Sequence, residues 1–310
     1  MIRVVARRLA WTALVAWFVV TATFALLAAI PDDPMRALLG PHASEQSIAA
    51  ARAHYCLDDG VVARYGCFVG DALRGDLGES YRSKRAVTDV LADRWWPTAQ
   101  LAFAALALQL AIGVPLGVIA ARRRGRWPDR AITIGALIAA SAPAFVVGSL
   151  LLDVVAFRTG WLPLGGYGDA GVLDRLRHLA LPALTLAAGG AAAYARLARA
   201  EVAAALASDH VRTARAKGAG ERAVVLHHAL RPGAAPLIAL AGVDLGALLG
   251  GAILVEWIFQ WPGLGRELLL AVLDVDLPVI IGIVLVSAIA IALANLVADV
   301  VAAWLDPRLR

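Results

Sequence analysis

Few residues in this chain have types and spacings suited to chemistry. Zinc-assisted hydrolysis needs a His-Glu-x-x-His pair and an acyl-transfer site a Gly-x-Ser-x-Gly turn, and the sequence contains neither. Neither Lys84 nor Lys217 follows the glycine spacing of a phosphate-binding loop. His227 and His228 are adjacent, so on a helix they point in different directions and read as contact residues rather than metal ligands. What stands out is two acids in apolar surroundings, Asp244 and Glu256, two cysteines, Cys56 and Cys67, and a basic run from Asp209 to Lys217. No catalytic residue, metal or cofactor is expected from this inventory.

The composition explains the scarcity. Of 310 residues 60% are hydrophobic, against 24 acidic and 29 basic side chains. A soluble domain is nearer 45–50% apolar, and a mean hydropathy of +0.72 calls for a less polar solvent than water. The bilayer is that solvent. The net charge of +5 follows from arginines clustered beside apolar spans, which is a topology signal and not a nucleic-acid footprint.

A spanning helix needs roughly 20 mainly apolar residues. Six windows qualify: Leu9 to Ile30, Trp95 to Ala121, Ala131 to Leu152, the shorter Leu179 to Ala195, Gly233 to Val255, and Leu277 to Ala298. The first is too long for the 7–15-residue core of a signal peptide and reads as a span. Basic residues concentrate at the N-terminus, around Arg122 to Arg130, between Arg196 and Arg231, and at Arg308 and Arg310. Short basic loops stay inside, so both termini are expected in the cytoplasm. The chain thus reads as an all-α integral membrane protein of six helices. Residues 1–30 hold the cytoplasmic N-terminus and first span, 31–94 form a small outward segment, and 95–310 form a five-helix core with a cytoplasmic loop at 196–232.

The outward segment is punctuated by Pro31, Pro34 and Pro41, then by Gly66, Gly70, Gly75 and Gly78. Both cysteines lie in it. An oxidising exterior permits a Cys56–Cys67 disulfide worth roughly 2–3 kcal/mol, but spacing leaves a bond and two free thiols both open.

Ser208 and Asp209 are helix-capping types, and Gly218 is the favoured residue just past a helix end. A short helix over His210 to Lys217 is expected, with Arg215 and Lys217 complementing its dipole. A second helix over Glu221 to Arg231 would lead into span five. Such a body, tied at both ends to spans, can transmit a push from a soluble partner. The alternative is a basic loop held against anionic lipid.

The residues of this region carry a resemblance. Leu181-Pro182-Ala183-Leu184-Thr185-Leu186, Tyr194 to Glu201, Asp209 to Gly218, and His228-Ala229-Leu230-Arg231 with Pro236 resemble the permease subunits of dipeptide, oligopeptide and nickel ABC importers. Ile30-Pro31-Asp32-Asp33-Pro34, Gly75-Asp76-Leu77-Gly78-Glu79-Ser80, Gly250 to Glu256, Phe259 to Arg266 and the tail from Asn295 to Arg308 extend it along nearly the whole chain. The long outward loop is similar to that of the first, B-type permease. The resemblance implies the type I importer permease fold in a bacterial cytoplasmic (inner) membrane. It also implies a second homologous permease, two ATP-binding subunits and an extracytoplasmic substrate-binding protein as partners. The basic run then stands as the EAA loop, with Arg212-Thr213-Ala214 where the general motif has Glu-Ala-Ala. The coupling residues are expected to be Asp209, His210, Arg212, Thr213, Ala214, Arg215, Lys217 and Gly218. The implied function is import of di- or oligopeptides with ATP hydrolysed elsewhere, the alternative being nickel or another small solute.

Two acids remain for the pathway. Asp244 lies mid-span and Glu256 near the outer end, about 18 Å apart along a helix, so they cannot share one small ligand. Asp244 is the candidate contact for a peptide N-terminus or cation, with pairing to a partner arginine as the alternative. Glu256 fits an outer gate, or else a helix-end hydrogen bond. Gly242, Gly246 and Gly250 share one face and should contact another span. Asp32, Pro232 and Asp244 depart from the family's usual residues. An ion-coupled secondary transporter would need paired breaks in repeated halves, and only Pro115 and Pro143 offer any.

Overall fold

The computed structural model describes residues 44–54 and 60–305, together with 10–11, 13–15, 17–18, 20–22 and 24–25. Apolar side chains in hydrocarbon leave every backbone polar group to find an internal partner, and helices do this within a single segment. The described residues are accordingly helical almost throughout, with one isolated bridge, Glu79 to Ala86. The expected first span is helical wherever it is described.

Two short helices follow, α1 (Glu45–His54) and α2 (Val61–Leu73). The core comprises α3 (Val87–Arg122), α4 (Trp127–Ser141), α5 (Ala144–Leu151), α6 (Val172–Leu206), α7 (Asp209–Ala216), α8 (Glu221–Ala223), α9 (Ala234–Leu249), α10 (Ile253–Ile258), α11 (Leu264–Leu273) and α12 (Leu277–Leu305). Among the described residues α3, α6 and α12 are long and apolar enough to cross a membrane, and two bent helix pairs bring the number to five.

Three expectations need correction. The third span is not one helix over Ala131 to Leu152, because α4 and α5 meet at 98° across Ala142 and Pro143. Proline lacks the donor and disfavours helical geometry in the residue before it, and Ala142 is extended at ψ 124°. The fourth is a helix of 35 residues, about 52 Å, and not a short one. The fifth ends at Gly250-Gly251, where Gly251 has φ +100° and the chain restarts as α10. In the loop, Glu221 to Leu230 turns π-helical from Val224 and then bends by 58° into α9.

Glycines set the closest approaches between spans. A Cβ on Gly113 would lie 2.4 Å from the Ala191 carbonyl, and one on Gly117 would lie 2.5 Å from that of Ala195, so the α3 and α6 backbones nearly touch. On α9, Gly242 faces Ala298 while Gly246 and Gly250 face Ile291. The glycine face therefore lies on α12. The first helix meets α2, with Thr21 Oγ1 hydrogen-bonded to Tyr65 Oη at 2.5 Å and Arg64 over the Phe24 ring.

Candidate functional site

Helix α7 is amphipathic in three dimensions. Val211 is wholly buried and Ala214 nearly so, anchoring it to the body, while Asp209, His210, Arg212, Thr213, Arg215 and Lys217 are exposed. Ser208 is the N-cap, but its hydroxyl donates to the Ala205 carbonyl at 2.5 Å instead of capping α7. At the other end Gly218 has φ +84°, and the Ala219 N–H donates to the Ala214 carbonyl at 3.1 Å, the closure expected of a glycine stop.

Two links brace α7. A ring nitrogen of His210, Nε2, donates to the His228 carbonyl at 3.0 Å, joining α7 to the π-helical turn. Arg215 binds Glu221 with both nitrogens, Nε to Oε1 at 2.7 Å and Nη2 to Oε2 at 3.2 Å. The Arg215 hydrogen bond holds the Glu221 carboxyl below the usual glutamate range, with Arg122 adding a weaker pull through space. Arg212 makes only a long contact to Asp209, 3.4 Å, and is 82% exposed. The structure thus separates two arginines that look alike in sequence. Arg215 is committed within the loop, and Arg212 is presented outward.

Above the loop, Arg199 on α6 forms a two-point ion pair with Asp129, near the start of α4. Asp129 also accepts from the Gly125 N–H at 2.9 Å, which ties in the turn after α3. The sequence reading counted Arg199 only among the basic residues between Arg196 and Arg231, and it missed Asp129. A lone acid beside five arginines was the available signal.

Glu256 is completely buried. It accepts from Thr98 Oγ1 at 3.2 Å and from the Arg266 N–H at 2.9 Å, and so caps the start of α11 from a distance. Thr98 Oγ1 in turn accepts from the Leu264 N–H at 2.7 Å, and Trp261 donates through Nε1 to the Pro97 carbonyl at 2.8 Å. The helix-end hydrogen bond is therefore the observed arrangement for this residue. The Gly-Asp-Leu-Gly-Glu-Ser segment docks onto the turn before α12. Ser80 Oγ donates to Asp276 Oδ2 at 2.5 Å, and the Tyr81 N–H donates to Oδ1 at 3.0 Å. Asp276 was another residue the sequence did not single out.

Asp244 is half-buried on α9, and its Oδ2 accepts from the Tyr194 hydroxyl on α6 at 3.3 Å. It is far from Glu256 in role as well as sequence, and the two do not converge. Cys67 is a half-buried free thiol on α2; Cys56, and with it the proposed pairing, lies outside the described residues. No group of acids, histidines and cysteines suited to a metal ion occurs among the described residues.

Two glycine-set span contacts and a braced amphipathic helix at one end suit a membrane permease core. The chain belongs to the family described as the binding-protein-dependent transport system inner membrane component, which matches residues 113–310, and the N-terminal region of such membrane components matches residues 1–102. It is similar to the glutathione transport system permease protein of Escherichia coli (strain K12), with 41% identity over 281 residues covering 91% of this chain and 90% of that protein. The same permease of Shigella flexneri serotype 5b is 40% identical over the same span. Among solved structures, an inward-facing form of the MetNI methionine ABC transporter shares the fold, with a TM-score of 0.59, 18% identity, and coverage of 70% of this chain and 96% of that one. The chain is thus a multi-pass inner-membrane permease of the type I importer fold, a transport component of a binding-protein-dependent ABC system.

Proposed function

We propose that the chain is the first, B-type permease of an importer for di- or oligopeptide-like solutes, forming the pathway with a second homologous permease. Two ATP-binding subunits close beneath the pair, one of them seated on α7, and an external binding protein delivers the solute. Similarity to permeases named for glutathione, a tripeptide, supports the substrate class. In this reading residues 31–94 and α10 lie outside, residues 196–232 and both termini lie in the cytoplasm, and residues 95–310 form the core.

One observation carries the coupling role: a helix whose inner face is buried and whose outer face presents Arg212, Thr213 and Lys217 free of the bundle. Import requires two packings of the spans, and a nucleotide-driven partner can bias them only by holding α7 differently in each. Arg215 and His210 serve this by keeping α7 and the π turn as one body, while Asp209 and Gly218 set its ends.

The test is Arg212→Glu in the assembled transporter. ATP hydrolysis should persist while uptake falls at least about tenfold, a loss of roughly 1.4 kcal/mol of coupling. Wild-type uptake with that substitution would reject the assignment.

A further inference from the structure

Asp244 lies about 15 Å along α9 from Ala234, on the side of the helix turned away from the Gly242 and Gly246 contact with α12. Beside it runs an exposed strip, Ala239, Val243 and Ala247, with Val243 60% exposed. The carboxylate therefore borders a face of α9 that the described residues leave open. A carboxylate at this depth is costly without a counter-charge. Among the described residues no cation stands within ion-pair reach of Asp244, and its partner is the neutral hydroxyl of Tyr194.

Tyr194 is wholly buried, and a Cβ on Gly113 would lie 2.7 Å from its Cβ, so the close α3 backbone fixes where the phenol points. The phenol occupies Oδ2 and leaves Oδ1 open. That geometry discriminates between cations. A guanidinium binds a carboxylate best as a fork, which needs both oxygens free. A primary ammonium has three donors on a compact head and needs only one carboxylate oxygen, so Oδ1 alone suffices while the buried phenol holds Oδ2 in place.

We propose that Asp244 and Tyr194 form a subsite for a primary ammonium group on the transported solute, such as a peptide N-terminus. This rests on the import reading above and sharpens it, since a solute carrying a free amine would be favoured over its acylated form.

The experiment uses the assembled transporter in liposomes and follows modification of Asp244 by dicyclohexylcarbodiimide across a pH series, read by mass spectrometry, with Asp244→Asn as background. Butylammonium is the probe and butanol its uncharged control. Labelling should slow roughly tenfold when butylammonium stands at ten times its dissociation constant, and butanol should have no effect. Tyr194→Phe should raise the butylammonium needed by roughly tenfold. Labelling unaffected by butylammonium would overturn the subsite, as would a carboxyl unreactive at every pH because a partner's cation already holds it. Copurification keeps the two readings apart. If ATP-binding chains fail to come down with the permease, the import reading fails whatever the labelling shows; if they do and butylammonium gives no protection, only the subsite fails.

Discussion

Arg199 grips Asp129 at two points, Nε to Oδ1 at 2.5 Å and Nη2 to Oδ2 at 2.9 Å, and so fastens the C-terminal part of α6 to the first turn of α4. α6 runs through Ala207 and Ser208 into α7, so in the coupling role proposed above this joint lies on the covalent path from α7 to the bundle. Its other side is α4, one arm of the sharply bent pair. In that proposal a rigid link here would let a push on a short helix alter the bundle rather than flex a loop.

Asp129 is 5% exposed and Arg199 34%, so removing one partner strands a buried charge. Arg199→Ala should destabilise the protein by about 2 kcal/mol once the arginine's partial solvation is discounted. Thermal unfolding in detergent measures this, and an unchanged midpoint would remove the joint from the account. Asp129→Ala should cost at least as much, because it also strands the Gly125 N–H.

The spans were readable because hydrocarbon demands long apolar runs, and the end of α7 because Gly218 must adopt φ +84°. The bend at Ala142 and Pro143 was less so: Pro115 looks equivalent in sequence yet sits inside an unbroken α3. Neighbouring helices can re-satisfy a backbone opened by proline, and local sequence does not say where they do. Asp129 itself stood out beside its arginines, but its pairing was hidden for a different reason. Its partner is 70 residues away, on a helix whose length was underestimated. Glu256 was legible as an unusual acid, but the choice between gate and cap depends on Thr98 and the Arg266 N–H, which only the fold brings to it.

The Arg215–Glu221 pair should make the loop sensitive to acid. Its folded carboxyl lies below the ordinary glutamate value, so the unfolded loop binds the proton more readily and the bracing is fully present above about pH 4.3. It is lost as pH falls through the folded value. Hydrogen exchange of the α7 amides should therefore accelerate on acidification below that range, and Glu221→Gln should show the fast exchange already at neutral pH. Equal exchange in both proteins at neutral pH would show that the pair braces nothing.

Glu256 holds two elements together, so its loss should look structural. Glu256→Ala leaves the Arg266 N–H and the Thr98 hydroxyl without their acceptor in a buried site, at a cost of about 3 kcal/mol. Folded yield and unfolding midpoint should drop while the choice of solute among surviving molecules stays as in the wild type. A changed solute preference at normal stability would instead restore the gate.

The contact between α9 and α12 permits a test by repair. A Cβ on Gly242 would stand 2.0 Å from that of Ala298, a distance that nothing short of a backbone shift can relieve. Gly242→Ala should cost about 1–3 kcal/mol through overpacking, since interhelical association in lipid rests on close van der Waals contact. Ala298→Gly alone removes one methyl from a nearly buried position and should cost less. Combined, the two substitutions restore the fit with the roles of the helices exchanged, so the double variant should recover most of the lost unfolding midpoint. Additive losses would mean that Gly242 is needed for the backbone of α9 itself and not for its approach to α12.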